Sequence, residues 1–397
     1  MRRIFRTVAV SAAVLLGFGI GVPDAAPATA AESDAIAAGD VHIEAETRDD
    51  LRAHAESLVA ELSVEEQAAM VVMGHISTTD PDEARQYMSQ GWGGFLLMGA
   101  NIPADEEQLR ALTKAIRGDN PLLPALVAID QEGGDVSRLP WDVFASAQNL
   151  KGADGVTVEQ AFSARAAVIA RDGITVNFGT VADVPASGSS FIYGRALGTN
   201  AGEAGAATAA ATRGQEPFVA STLKHFPGHG AAEGDSHDMI PTTTLGYDDW
   251  FGHDGQPFVD GVRAGASLLM VGHLEYSSVD AQPASLSPQW YGIAREALGF
   301  DGVLVTDDLG MLMATGEPAL ADPTANAARA LAAGADIVLT MMGTDATTAT
   351  AIAQEIAASV DRGEIPAERL RDAATRVTML RLQVGAADAS RWQPVAE

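Results

Sequence analysis

Residues 217–230, Pro217-Phe218-Val219-Ala220-Ser221-Thr222-Leu223-Lys224-His225-Phe226-Pro227-Gly228-His229-Gly230, run an apolar segment straight into a crowd of titratable and turn-forming residues. Asp235-Ser236-His237 follows after four intervening residues. A short apolar run that ends in a loop of chemically active side chains is how an α/β barrel carries its site at the strand ends. Three chemistries fit this composition: a metal site, a nucleophile–base pair, or a loop that binds sugar and transfers a proton.

Working outward, the same grammar repeats along the chain. Apolar runs suited to buried parallel strands occur at Ala69–Met73, Gly94–Leu97, Ala125–Ile129, Thr175–Phe178, Val219–Leu223, Leu268–Val271, Gly302–Val305 and Ile337–Thr340. Helical spacing fills Asp105–Arg117, Val158–Ala170, Ala201–Thr212 and Thr324–Ala333 between them. The joints Arg263-Ala264-Gly265-Ala266 and Ala332-Ala333-Gly334-Ala335 each place a glycine between a helix and an apolar run, where it can end the helix. Ser63-Val64-Glu65-Glu66 has capping-box spacing, a further helix is expected to begin near Leu51, and Ile365–Leu382 reads as an amphipathic helix followed by a polar tail. Strands alternating with helices predict βαβ units, and eight of them predict a single (β/α)8 barrel domain. A doubly wound sheet is the rival, but no glycine-rich phosphate fingerprint follows the first strand.

In such a barrel the catalytic groups lie just beyond the strands. Asp130 follows the third run, Lys224 and His225 the fifth, His273 the sixth, and Asp307 and Asp308 the seventh. Charged groups are seldom buried unless paired, so their convergence on one barrel mouth is informative. His225, His229, Asp235 and His237 are acceptable zinc ligands, but their spacing matches no His-Glu-x-x-His helix, and Pro227 with its flanking glycines opposes a helix here. A serine hydrolase would need a Gly-x-Ser-x-Gly elbow, which the chain lacks. Glycoside chemistry needs a carboxylate on one side of the scissile bond and a proton donor on the other. Asp307 can supply the first, and Asp235-Ser236-His237 the second, with Asp130, Arg138 and Lys224 suited to hydroxyl groups.

The 397 residues are 47% hydrophobic and carry a formal charge of −28 from 25 basic and 53 acidic residues. So acidic a surface repels phosphate backbones, which argues against nucleic acid as a partner. Arg2, Arg3 and Arg6 precede an apolar stretch from Val8 to Val22, and Ala28-Thr29-Ala30 offers small residues for cleavage. That pattern predicts a secretory signal peptide over residues 1–30, cleaved near Ala30, with a mobile leader over 31–48 and the barrel over 49–397. The apolar run is short and breaks at Pro23-Asp24, so no stable membrane insertion is expected after cleavage. The absence of cysteine excludes a disulfide framework and a lipid-modified cysteine, and export without disulfides suits a bacterial enzyme with a large core.

Lys224-His225-Phe226-Pro227-Gly228-His229-Gly230 with Asp235-Ser236-His237 resembles the signature of the β-N-acetylhexosaminidase branch of glycoside hydrolase family 3. Further segments are similar in the same order: Leu62-Ser63-Val64-Glu65-Glu66-Gln67, Gly93 to Ile102, Asp130-Gln131-Glu132-Gly133-Gly134, Gly194-Arg195-Ala196-Leu197-Gly198, and Thr306-Asp307-Asp308-Leu309-Gly310-Met311. The resemblance implies an exported, retaining exo-β-N-acetylglucosaminidase acting on peptidoglycan or chitin fragments. It implies that Asp307 is the nucleophile and that His237, paired with Asp235, is the general acid/base. Asp130, Arg138, Arg195, Lys224 and His225 fall where the family binds the terminal sugar. No cofactor or metal is implied, the partner is a small carbohydrate or muropeptide, and a monomer is expected. Asp135 departs from the branch, which commonly has an arginine there. A β-glucosidase or β-xylosidase of the same family, a phosphorylase, and a non-catalytic sugar-binding protein are the alternatives. Trp92, Trp250 and Trp290 are read as core or as sugar platforms, and His75, His253 and His273 as structural.

Overall fold

The computed structural model describes residues 47–391. The expected signal peptide and nearly all of the expected leader lie outside the described residues. Eight parallel strands form one sheet: β1 (Val72–Gly74), β2 (Gly94–Leu97), β3 (Leu126–Ile129), β4 (Val176–Val181), β5 (Ala220–Phe226), β6 (Leu268–Val271), β7 (Val303–Thr306) and β8 (Val338–Leu339). Each pairs with its neighbours in chain order, β8 pairs with β1, and a parallel bridge between Val305 and Ile337 joins the β7 and β8 sides. The sheet therefore curls round on itself as the (β/α)8 barrel that the alternation of runs predicts.

Every residue of these strands is buried, which is why the parallel strands read as continuous apolar runs rather than as alternation. Burying a Leu, Ile or Val side chain is worth about 1.5–3 kcal/mol, and residues such as Leu126, Val127, Leu268, Leu304 and Val338 are fully enclosed. The surrounding helices turn one apolar stripe inward. Glu106–Arg117 is capped by Asp105, whose carboxylate accepts from the amides of Glu107 and Gln108, and it buries Leu109, Leu112 and Ile116. Pro323–Ala333 begins with Asp322 as cap and proline in its first turn, and ends at Gly334 with φ 138°. The first described helix, Arg48–Ala60, packs on the last, Ala367–Arg391, and Arg52 pairs with Asp372 at 2.9 Å.

The structure corrects several boundaries. The capping box of Ser63 and Glu66 forms and carries its helix through Met70, so β1 begins at Val72 and not at Ala69. The first helix begins at Arg48, capped by Thr47, three residues before Leu51. The last helix runs on to Arg391, through what reads as a polar tail. Most consequential, β5 extends through Lys224, His225 and Phe226. Charge ends the apolar run at Leu223, but the chain stays extended because the charges find buried partners.

Candidate active site

The ends of β3, β4, β5 and β7 converge on one cavity at the barrel mouth. Asp130, Arg138, Arg195, Lys224, His225, His237 and Asp307 all line it, together with His229, Ser236 and a wall of methionines. Asp235 lies behind His237. All eight residues expected from the sequence are thus gathered at one place, although their separations in the chain reach well over a hundred residues.

The floor is an ion-pair network. Lys224 Nζ donates to Asp130 Oδ1 at 2.6 Å and pairs with Glu132 Oε1 at 2.8 Å. Arg195 meets Glu132 bidentately, Nε to Oε2 at 3.0 Å and the terminal nitrogen to Oε1 at 2.8 Å. Lys224 and Glu132 are almost completely buried. Burial opposes the Lys224 ammonium, yet Asp130 and Glu132 outweigh it and raise its pKa. Burial likewise pushes Glu132 up, but Lys224 and Arg195 more than reverse this and bring it to about 2. Both partners are therefore ionised at neutral pH, the arrangement under which a buried pair is tolerated.

Local structure fixes this floor. Asn177 on β4 accepts from the Gln131 amide at 3.0 Å and donates to the Gln131 carbonyl at 3.0 Å, pinning the turn after β3. The Gln131 side chain accepts from the amides of Arg138 and Leu139 at 2.8 and 3.2 Å. Arg138 is thereby held at the cavity wall, where its Nε is buried and has no hydrogen-bond partner. On β5, the register to β6 shifts between Leu223 and Phe226 and thus brackets Lys224 and His225; such irregularities re-aim side chains beside active sites. The peptide bonds Lys224–His225 and Phe226–Pro227 are cis.

His225 is held from behind by Asp183 at the end of β4. Its ring Nδ1 lies 2.8 Å from Asp183 Oδ2, and its backbone N–H donates to Oδ1 at 3.2 Å. Asp183 also accepts the His229 N–H at 2.6 Å. Arg195 lies 3.3 Å from His225 Nε2. Burial and the Arg195 charge depress His225 well below the ordinary histidine range, so the ring is neutral. A carboxylate can only accept, which assigns the ring proton to Nδ1 and leaves Nε2 to accept from Arg195.

At the end of β7, Asp307 and its neighbour have separate fates. Asp308 Oδ1 accepts from the amides of Gly310 and Met341 at 3.0 and 2.8 Å, and Oδ2 from Met342 at 2.8 Å. Burial pushes Asp308 up to about 6 against these amides. Both its oxygens thus serve the backbone. Asp307 Oδ1 accepts the Asp308 N–H at 2.8 Å. Burial pushes Asp307 up too, but its charged and hydrogen-bonding surroundings, the Asp308 amide and the Lys224 ammonium among them, hold it below the usual carboxylate range. His273 is buried, bridging Ser285 Oγ at 2.7 Å and the Asp308 carbonyl at 2.9 Å, which fits its structural reading.

The loop after β5 supplies the last part. His237 Nδ1 lies 2.6 Å from Asp235 Oδ1, which also accepts the His237 backbone N–H at 3.0 Å. Burial pushes Asp235 up, but the His237 contacts together outweigh it and lower it. The pair is exposed, unlike the floor. His229 also lines the cavity, but its Nε2 is engaged 3.1 Å from Ser236 Oγ. The four residues that could have shared a metal are thus divided among different tasks. Among the described residues no cluster of three or more His, Asp or Glu is placed to hold a metal ion.

Glu132 and Asp183 are the residues the sequence reading leaves without a role. Glu132 stands inside a motif already singled out, and only its burial between two cations marks it. Asp183 obeys the strand-end rule, but β4 was expected to stop at Phe178, five residues short of it. The tryptophans resolve as core: Trp250 and Trp290 are fully buried with their rings 4.9 Å apart, and Trp92 is buried elsewhere.

The model of the glycosyl hydrolase family 3 N-terminal domain matches residues 57–380. A secreted glycosyl hydrolase of Arthroderma benhamiae is 31% identical over 334 residues, 80% of this chain and 92% of that protein. A β-hexosaminidase of Methylococcus capsulatus is 33% identical over 265 residues, 64% and 77% of the two chains. The structure of a family 3 β-N-acetylglucosaminidase from Paenibacillus superposes with a TM-score of 0.76 at 28% identity, covering 85% of this chain and 65% of that one.

Proposed function

The chain belongs to glycosyl hydrolase family 3 and is a glycoside hydrolase, and from that premise we propose that it is an exported, retaining exo-β-N-acetylglucosaminidase. The observation that carries the reading is the sharing of one cavity by Asp307 and His237 above the Lys224–Asp130–Glu132–Arg195–His225 floor. A β-hexosaminidase and a β-N-acetylglucosaminidase among its relatives favour the amino sugar.

In this mechanism Asp307 attacks the anomeric carbon through the oxygen not held by the Asp308 amide. The glycosidic C–O bond breaks, and the departing oxygen takes the proton of His237 Nε2. The ring is oriented for this by Asp235 on Nδ1. A covalent glycosyl-enzyme results. Water then attacks from the side the leaving group vacated, gives its proton to the now neutral His237, and displaces Asp307. Two inversions give net retention. General acid–base assistance of this kind contributes roughly 10²–10⁴-fold. A neutral histidine does not repel an incoming anion as a carboxylate would, so the second step is open to nucleophiles other than water.

The polar floor suits a terminal sugar. Lys224 retains one donor beyond Asp130 and Glu132, and Arg138 Nε is an unsatisfied buried donor. The buried charges fix the floor before substrate arrives, which preorganises it. Export is supported by the charge and hydropathy pattern of residues 1–30 and by the secreted relative. No helix among the described residues is long and apolar enough to cross a membrane. Peptidoglycan or chitin fragments are the substrates such an exported enzyme would meet, and a monomer suffices because one chain supplies every group named.

The test is hydrolysis of an aryl N-acetyl-β-glucosaminide and the matching aryl β-glucoside by wild type and Asp307→Ala. Preference for the amino sugar, abolished by the substitution, is the expected result. Equal rates for wild type and variant would overturn the assignment of Asp307, and preference for the glucoside would overturn the substrate.

A further inference from the structure

Of the two phenylalanines that line the cavity, Phe178 is fully buried and Phe191 is 44% exposed. An exposed large aromatic ring loses hydrophobic stabilisation unless something covers it. Phe191 is nonetheless held in place. The next residue, Ile192, is fully buried, and the Ile192 carbonyl accepts the amides of Arg195 and Ala196 at 3.0 Å each. The turn that places Arg195 on Glu132 thus also places Phe191 at the rim. Its ring centroid lies 5.5 Å from that of His229 and 6.4 Å from that of His237, the latter edge to face with 69° between the planes.

Burial gives the cavity a direction. Glu132, Lys224 and His225 at the floor are 2%, 1% and 6% exposed, whereas the His237 side chain is 54% exposed. A terminal sugar bound at the floor would present its glycosidic oxygen upward to His237. Whatever that oxygen carries must then lie at the rim, beside Phe191. A pyranose has an apolar face of C–H groups, and an aryl ring has two apolar faces. Either can cover the exposed ring.

Resting on the proposed glycosidase reading, we infer that Phe191 is the leaving-group platform: it stacks on the ring directly beyond the scissile bond and selects leaving groups that have one. Its contact with His237 couples the two tasks, since a ring seated on Phe191 brings its oxygen within reach of the proton donor.

Three substrates separate this role from simple support of the loop. They share N-acetylglucosamine as the terminal sugar and carry a second β-linked N-acetylglucosamine, a nitrophenyl group, or fluoride as leaving group. Fluoride has no ring to stack. The platform predicts that Phe191→Ala loses roughly three- to tenfold more kcat/KM on the disaccharide and the aryl substrate than on the fluoride, mainly through KM. Phe191→Trp should restore the difference, and Phe191→Leu should not. An equal loss on all three substrates, or no loss on any, would overturn the inference. Should wild type act on glucosides instead, the same three leaving groups on glucose give the same comparison, so failure of the substrate assignment is told apart from failure of the platform.

Discussion

Asp183 and His225 are joined twice, ring Nδ1 to Oδ2 at 2.8 Å and backbone N–H to Oδ1 at 3.2 Å. The same carboxylate takes the amide of His229. One buried acid at the end of β4 thus fixes both the tautomer of a floor residue and the first turn of the loop that leads to His237. It touches the site from behind.

The Asp183→Asn variant would set an amide N–H against one of these donors and favour the opposite His225 tautomer, which would turn an N–H toward Arg195. Buried hydrogen bonds to charged groups are worth about 1.5–3 kcal/mol, so KM for the amino-sugar substrate should rise roughly 10- to 100-fold, with a smaller fall in kcat. Steady-state kinetics check this. An unchanged KM would mean that His225 is oriented by other contacts.

His237→Ala should lower the rate on a disaccharide by roughly 10²–10⁴-fold, the range of general acid–base assistance. On substrates whose leaving group departs without a proton the first step should be far less affected. A plot of rate against leaving-group pKa reads this directly. The slope should steepen in the variant, and an unaltered slope would remove His237 as the acid.

Glu132 ties the site to acid stability. Its ordinary value is 4.5 and its folded value about 2. A group depressed on folding stabilises the protein above its unfolded value, and that contribution is lost as pH falls through the folded one. The window is therefore from about pH 4.5 down to about pH 2. In Glu132→Gln, Lys224 and Arg195 lose the carboxylate they share, and breaking a buried pair costs about 3–5 kcal/mol at neutral pH. The gap between wild type and variant should shrink across that window in urea unfolding at pH 7, 4 and 2.5. A constant gap would contradict the assignment.

Gly230 is a spacing residue. A Cβ there would lie 1.8 Å from the Val184 carbonyl oxygen, a backbone atom that cannot swing away. Gly230→Ala must displace the loop toward Asp235 and His237, and forced overpacking costs about 1–3 kcal/mol. The expected outcome is a lower melting temperature together with a fall in kcat larger than the change in KM, since the floor that binds sugar is not moved. Thermal unfolding and kinetics on one preparation test both halves.

The chain's own pattern prescribes the barrel, because continuous apolar runs separated by helical stripes have few other ways to bury their surface. It also determined most of the site's membership, because titratable residues placed just after such runs must share one end of a parallel sheet. Asp130, Lys224, His225 and Asp307 are legible in this way. Which group pairs with which emerges only in the folded barrel. Glu132 lies between Lys224 and Arg195, Asp183 lies behind His225, and Asp308 surrenders both oxygens to the amides of Gly310, Met341 and Met342. The fold also sent Trp250 and Trp290 into the core and left Phe191 at the rim. The physical reason is range. Strand and helix patterns are written in neighbours along the chain, whereas the state of a buried charge depends on groups brought within about 3 Å by closure of the whole barrel.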